Sequence, residues 1–258
     1  MSGLVTLLGA GPGDAELLTL KGKRRLQEAD VLVFDRLVNQ ELFQHLKSDC
    51  ERIDVGKKPG QPCIRQEEIE KILIEKARQG KRVVRLKSGD PYIFGRGGEE
   101  GVKLVEAGVD FEVVPGITSA VAGLTYAGIP MTYRDVATSF HVFTAHLKDE
   151  TEMLNWEAIS KLKGTLVFLM GMKNLPSIVQ ELTARGYGKD KPAAIVEWGT
   201  HPQQRSVDGT LGNIVELAEA EDFKAPSVIV VGDVVAYRQQ LNFHENLPAF
   251  RSKNPHPA

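Results

Sequence analysis

Gly9-Ala10-Gly11-Pro12-Gly13-Asp14 follows the apolar run Leu4-Val5-Thr6-Leu7-Leu8. An apolar run that breaks into a glycine-rich turn predicts a buried strand leading into a ligand-binding loop. The dinucleotide fingerprint G-x-G-x-x-G fails at its third glycine, where Asp14 stands. A pyrophosphate is held by backbone N–H groups and a helix N-terminus. Pro12 removes one N–H, and Asp14 places a negative charge where phosphates would lie. The turn therefore disfavours a polyphosphate and tolerates a phosphate-free nucleoside, a cationic one best. Asp14 also has a plainer use, as N-cap of a helix over 15–28.

Working outward, short β-branched runs alternate with helix-like stretches. The first half predicts strands at 4–9, 31–35, 51–55, 82–86 and 110–114, with helices at 15–28, 39–47, 66–79 and 97–107. Gly80 and Gly108 stand where left-handed helix caps belong, as does Gly186 further on. This alternation predicts a mostly parallel sheet covered by helices. The second half predicts strands at 139–145, 165–170, 192–197, 204–208 and 227–232, with helices at 118–126, 155–161, 175–185 and 211–220. Residues 202–210 read as a half-exposed antiparallel strand, so the second sheet is expected to be mixed. The fold class is therefore α/β, as two α/β domains over 1–116 and 117–243, followed by a polar, proline-containing tail over 244–258.

Composition excludes several classes. The 258-residue chain has a formal net charge of −2, so no global basic field recruits nucleic acid. No apolar run reaches membrane-spanning length. Cys50 and Cys63, the only cysteines, form no disulfide framework. The expectation is a cytoplasmic protein with no membrane or nucleic-acid partner.

Two further turns follow predicted strands. Lys87-Ser88-Gly89-Asp90-Pro91 has small residues that admit a ligand close to the backbone, and Asp90 offers oxygens to ribose hydroxyls or an amine. Val114-Pro115-Gly116-Ile117-Thr118-Ser119 is similar in kind. Open α/β sheets bind ligands beyond the carboxyl ends of their strands, so three such turns predict one wall of a nucleoside pocket.

Longer motifs sharpen this. GAGPGD, VFDRLV (33–38), VGKK (55–58), RLKSGDPYIFGRGGEE (85–100), VVPGITSA (113–120), AGIPMTYRD (127–135), TAHLK (144–148), VFLMGM (167–172), EWGT (197–200) and APSVIVVGDVV (225–235) occur in that order. In order and spacing they resemble the uroporphyrinogen-III C-methyltransferases of the tetrapyrrole methylase superfamily, over roughly residues 3–242. The resemblance implies two α/β domains with S-adenosylmethionine, or its product S-adenosylhomocysteine, in the cleft between them. It implies successive methylation of two pyrrole carbons of uroporphyrinogen III, giving precorrin-2, by a homodimer that uses no metal. Pro12, Ser88, Gly89, Asp90, Ile93, Thr118 and Ser119 are then cofactor contacts. Met170 and Gly199 join them from the second domain; by residue type alone, Met170 equally fits a core position at a strand end. Asp35 resembles the proposed proton acceptor, and Lys57 the proposed proton donor, with an electrostatic role for Lys57 equally open.

The substrate's eight carboxylates call for cations, and Arg36, Lys58, Arg85, Arg96, Arg134 and Lys148 lie in or beside the motifs. Some of these, or neighbouring acids such as Glu99, are expected to pair among themselves instead. Relatives commonly carry glycine at the position of Ser88, which puts cofactor affinity in question. His141 and His146 are five apart, on opposite faces if both lie on a strand, and make no metal pair. The competing readings are a related methyltransferase acting on a later corrin intermediate, a protein or RNA, against which VGKK and GRGGEE argue; a dehydrogenase, disfavoured by the missing third glycine; and a tetrapyrrole carrier.

Overall fold

A computed structural model describes residues 3–56, 64–145 and 154–243. Lys57, Lys58, Cys63, His146, Lys148 and the tail over 244–258 lie outside the described residues. The chain forms two compact units, Met1–Thr118 and Ser119–Ala258.

The first unit holds strands β1 (Leu4–Gly9), β2 (Val31–Phe34), β3 (Glu51–Asp54), β4 (Val83–Lys87) and β5 (Asp110–Val114), and helices α1 (Leu20–Glu28), α2 (Gln66–Arg78) and α3 (Gly97–Glu106). Every strand pair is parallel, in the order β3-β2-β4-β1-β5. Helices cover both faces, which is why β1 and β2 read as near-continuous apolar runs rather than as alternation. Val5, Leu7, Val33 and Val83 pack with Leu73, Ala77 and Leu104 on one side. Leu8, Leu32, Val84 and Leu86 pack with Leu26, Leu42 and Cys50 on the other.

Two predicted helices come out differently. The stretch over 15–28 is a short 3-10 turn, Ala15–Leu17, followed by α1. Thr19 is extended and its hydroxyl accepts from the Gly22 N–H at 3.0 Å, so a second N-cap restarts the helix. Asp14 caps only the 3-10 turn, accepting from the Glu16 N–H at 2.8 Å. The predicted helix over 39–47 is a 3-10 run, Gln40–His45, capped by Asn39.

The order β4-β1-β5 places three turns side by side. Register pairs Gly9 with Lys87 and Leu8 with Val114, so all three turns leave one sheet edge at the same level. They meet backbone to backbone. A methyl group on Gly116 would lie 2.1 Å from the Gly89 carbonyl oxygen, and one on Gly9 would lie 2.5 Å from the Gly116 nitrogen. Both neighbours are main chain and cannot swing aside.

Midway along the edge strand β5, Glu112 gathers Arg25, Lys21 at 2.8 Å and the Thr6 hydroxyl at 3.1 Å. The Arg25 hydrogen bond is the main cause that holds its carboxyl down from the usual 4.5 to about 2.

The second unit holds α4 (Ser119–Tyr126), β6 (Phe140–Thr144), α5 (Trp156–Ile159), β7 (Thr165–Leu169), α6 (Leu175–Ala184), β8 (Pro192–Glu197), β9 (Arg205–Thr210), α7 (Ile214–Ala220), β10 (Ser227–Val231) and α8 (Arg238–Leu241). Its sheet is mixed, in the order β6-β7-β10-β8-β9, with only β6 and β7 parallel among the neighbouring pairs. Val167, Val196, Val228 and Val230 pack under α4 through Ala120 and Leu124. Phe168, Ile195 and Ile229 face α6 and α7 through Ile178, Leu182 and Ile214. The predicted helices over 155–161 and 211–220 shrink to α5 and α7. The 3-10 run Asp233–Tyr237 and α8 have no counterpart in the sequence reading, because both are short and Val234 and Val235 resemble the β-branched residues of β10 just before them.

Two stability results follow. Gly116→Ala should cost about 1–3 kcal/mol or more in urea unfolding, the usual range for overpacking a close contact. Glu112 has a depressed folded pKa, so its contribution is full above pH 4.5 and is lost as pH falls towards 2. Glu112→Gln should therefore lower stability at neutral pH by roughly 2–3 kcal/mol and flatten the acid limb of a stability-against-pH curve.

Candidate functional site

Several backbone donors at the three turns of the first unit bond within the turns themselves. The Ala10 N–H donates to the Lys87 carbonyl at 2.8 Å. Gly11 and Gly89 exchange both of their bonds, at 3.2 and 2.8 Å. The Gly116 N–H donates to Asp90 Oδ2 at 3.0 Å, and the Tyr92 N–H to Asp90 Oδ1 at 2.8 Å. Asp90, read from sequence as a ligand-facing acid, thus ties the second turn to the third. The N–H groups of Ala10, Gly11, Gly89 and Gly116 are thus engaged within the turns rather than turned to a pyrophosphate. Two carboxylates, Asp14 and Asp90, stand at the same edge, each half-buried. This edge suits a phosphate-free ligand with positive character.

Pro12 and Gly89 are buried there, Ser88 and Thr118 are half-buried, and Ile93 is 43% exposed. The structure therefore brings Pro12, Ser88, Gly89 and Asp90 to one edge of the first sheet. The exposed loop at Tyr92-Ile93-Phe94 presents apolar surface beside it, with Phe94 in the left-handed region at φ 52°.

Asp35 follows β2, on the strand next to β4. The Arg85 guanidinium forks onto both of its oxygens, at 2.8 and 3.1 Å. Arg85 is 3% exposed and Asp35 34%, so a buried cation holds a carboxylate that still reaches solvent. Behind Arg85 lies Glu100, fully buried on α3, whose Oε1 accepts from Arg85 Nε at 3.1 Å, Lys87 Nζ at 3.0 Å and Gln66 Nε2 at 3.2 Å. Burial opposes the charge on Arg85, but Asp35 and Glu100 more than offset it and raise its pKa. Burial, aided by the Arg85 charge, pushes Lys87 below the usual lysine range. Two cations and two carboxylates make the cluster neutral, the condition for keeping charges buried.

Arg85 therefore serves Asp35 rather than a substrate carboxylate, which corrects its place among the candidate cations. Arg96 pairs with Glu99 at 2.5 Å, but both are exposed and such a pair holds weakly. Arg36 and Arg134 are exposed. The Arg36 side chain lies across Gly56, where a methyl group would come 2.3 Å from its Cγ. With Phe34 paired to Asp54, this sets the Asp35 turn beside the turn that leads towards Lys57. Lys57 itself lies outside the described residues.

In the second unit, Val228 pairs with both Leu169 and Val196, so β7 and β8 end at one edge with β10 between them, about 10 Å apart. Met170 follows β7 with φ 56° and is 50% exposed, so it is no core residue. Gly199 follows β8 between Trp198 and Thr200, both left-handed at φ 50° and 69°. A methyl group on Gly199 would lie 2.8 Å from the Gly123 Cα of α4. Strained backbone at two neighbouring turns is a mark of functional edges. Glu197 of the EWGT motif is structural, paired with Arg205 and accepting from the Lys224 N–H at 2.7 Å. Ser119 opens α4, one residue beyond the division between the units.

Sequence reasoning passed over Glu100, Lys87 and Gln66. A signal was there: Gly97, Glu100, Gly101 and Leu104 share the buried face of α3, so a charged residue interrupts an otherwise small and apolar stripe. Among the described residues, no group of three or more His, Cys, Asp or Glu could hold a metal ion, and no helix is long and apolar enough to cross a membrane. A cavity of about 590 Å³ near Gly3, Gly80 and Arg82 is lined by Arg25, Glu28 and Arg82, which pair with one another.

An all-parallel sheet with its turns on one edge, followed by a mixed-sheet unit, defines a two-unit α/β protein of the nucleoside-binding kind. Residues 4–215 match the model of the Tetrapyrrole (Corrin/Porphyrin) Methylases, and the chain belongs to that family. It is 50% identical over 244 residues to Siroheme synthase 2 of Klebsiella pneumoniae, covering 95% of this chain and 53% of the relative. The chain thus spans about half the length of the curated relatives it matches. Among solved structures, uroporphyrin-III C-methyl transferase from Thermus thermophilus, complexed with S-adenyl homocysteine, is 37% identical with a TM-score of 0.77, over 90% of this chain and 93% of that one. Cobalt precorrin-4 methyltransferase is 28% identical with a TM-score of 0.80, over 90% and 95%.

Arg85→Leu strands Asp35 and Glu100 without their shared cation. Chemical unfolding should show a loss of about 3–5 kcal/mol, the cost of breaking a buried pair from one side, and Arg85→Leu combined with Glu100→Gln should recover part of it.

Proposed function

We propose that this chain is an S-adenosylmethionine-dependent uroporphyrinogen-III C-methyltransferase, methylating ring carbons C2 and C7 in turn to give precorrin-2 by way of precorrin-1. The observation that carries the reading is the set of three turns in the first unit, with the N–H groups of Ala10, Gly11, Gly89 and Gly116 engaged among themselves and acids at the edge. That chemistry fits a sulfonium nucleoside and disfavours a dinucleotide. The likeness to a methyltransferase complexed with S-adenyl homocysteine, over nearly its whole length, supports the same ligand class.

When bound, S-adenosylmethionine supplies an activated methyl carbon that a ring carbon displaces from sulfur. The protein's share is mainly alignment. In this reading Pro12, Ser88, Gly89, Asp90, Ile93 and Thr118 hold the donor in the first unit, and the edge with Met170 and Gly199, together with Ser119, supplies further contacts in the second. The Ser88 hydroxyl adds a polar group where relatives commonly have none. Asp35, held by Arg85 and open to solvent, takes up the proton that the methylated carbon framework must lose. Lys57 either returns a proton or holds a substrate carboxylate. Arg36, Arg96 and Arg134 are the described cations placed at the surface for the remaining carboxylates. The reading includes a cytoplasmic homodimer, resting on the family resemblance and the sparse cysteines.

Incubation with methyl-labelled donor and uroporphyrinogen III should yield a doubly methylated product by mass spectrometry. Methylation of only a later corrin intermediate in a substrate panel would reassign the substrate. Binding of the tetrapyrrole without turnover would make the chain a carrier. Asp35→Ala should retain S-adenosylhomocysteine binding and lose turnover.

A further inference from the structure

Glu100 does not reach solvent, yet three donors are organised around it. It is fully buried on the inner face of α3, and its Oε1 accepts from Arg85, Lys87 and Gln66. Its Oε2 is buried without a hydrogen-bond partner. An arrangement that leaves a buried carboxylate oxygen unsatisfied is costly, and the cluster keeps it at the far end of the guanidinium that clamps Asp35.

The geometry of Arg85 makes the connection. A guanidinium is planar, and its N–H groups point in fixed directions. Nη2 meets both oxygens of Asp35, Nη1 donates to the Leu86 carbonyl at 3.3 Å, and Nε meets Glu100. Contacts on all three nitrogens fix the plane, and the Nε contact sets the rotation about the side-chain axis. Charge adds a second effect. Arg85 and Lys87 are two residues apart on β4 and share a face. Without Glu100, two cations would stand behind Asp35 and tighten their hold on it. Glu70 on α2 and Arg96 ahead of α3 are further charged groups that Glu100 feels.

We infer that Glu100 is a positioning residue for the methyl-transfer reaction: it orients Arg85, and through Arg85 it holds Asp35 in place as a usable proton acceptor. This rests on the reading of Asp35 given above.

The test is a double-mutant cycle on the full chain, read as the single-turnover rate of methyl transfer from labelled donor to uroporphyrinogen III, with S-adenosylhomocysteine affinity measured by calorimetry. Glu100→Gln should slow transfer by on the order of 10²-fold, as misplacing a reacting group does, and leave S-adenosylhomocysteine affinity within about twofold. In an Asp35→Asn background the same substitution should change the rate by less than about twofold, the limit of additivity for independent sites. Glu100→Asp, which keeps the charge, should stay within about tenfold of the parent and serves if Glu100→Gln does not fold. An unchanged rate in Glu100→Gln, or an equal loss in both backgrounds, would overturn the positioning role while leaving Asp35 as acceptor. A parent-like rate in Asp35→Asn would instead remove the reading of Asp35, and this inference with it.

Discussion

No side chain fits on Gly9 or Gly116, because the main chains of three turns meet there against the Gly89 carbonyl. That contact exists because β4, β1 and β5 are neighbours in register, so their turns leave the sheet together. Once the turns touch, their N–H groups bond to one another and to Asp90. The edge then presents small residues and the carboxylates of Asp14 and Asp90. A packing constraint at two glycines thus sets the shape of this edge.

The second organising feature is electrostatic. Burying Arg85, Lys87 and Glu100 would be unfavourable one at a time, since each would lose its hydration. Together with Asp35 they form a neutral set, and only Asp35 reaches solvent to a useful degree. The buried members are fixed by β4 and α3, both well packed on Val83, Leu86 and Leu104. The position of Asp35 is therefore set by the core rather than by its own exposed turn. Chemistry placed on rigid elements in this way keeps its geometry.

Much of this was legible in the chain. The alternation of apolar runs and amphipathic stretches gives a parallel unit followed by a mixed one, because side-chain burial imposes its period locally. The turn motifs could be ordered along the sequence, and together they resemble one family closely enough to predict its membership. The limits were also local. The helix predicted over 15–28 breaks because Thr19 outcompetes helix continuation as a cap. The run over 233–241 was missed because nothing in Val234 and Val235 distinguishes a helical turn from the strand before it.

What the sequence by itself determined is the set of elements, the three turns and the family, since each is written in residues close together along the chain. What only the tertiary structure decided is which charged group meets which. Arg85 looked like a substrate cation and is the buried clamp on Asp35, fifty positions away. Asp90, read from the sequence as a ligand contact, is also a tie between turns. Glu100, unremarked in the sequence, stands at the centre of the buried cluster. Ion pairing depends on proximity in space and on shared burial, and strand order, which no short stretch of sequence encodes, creates both.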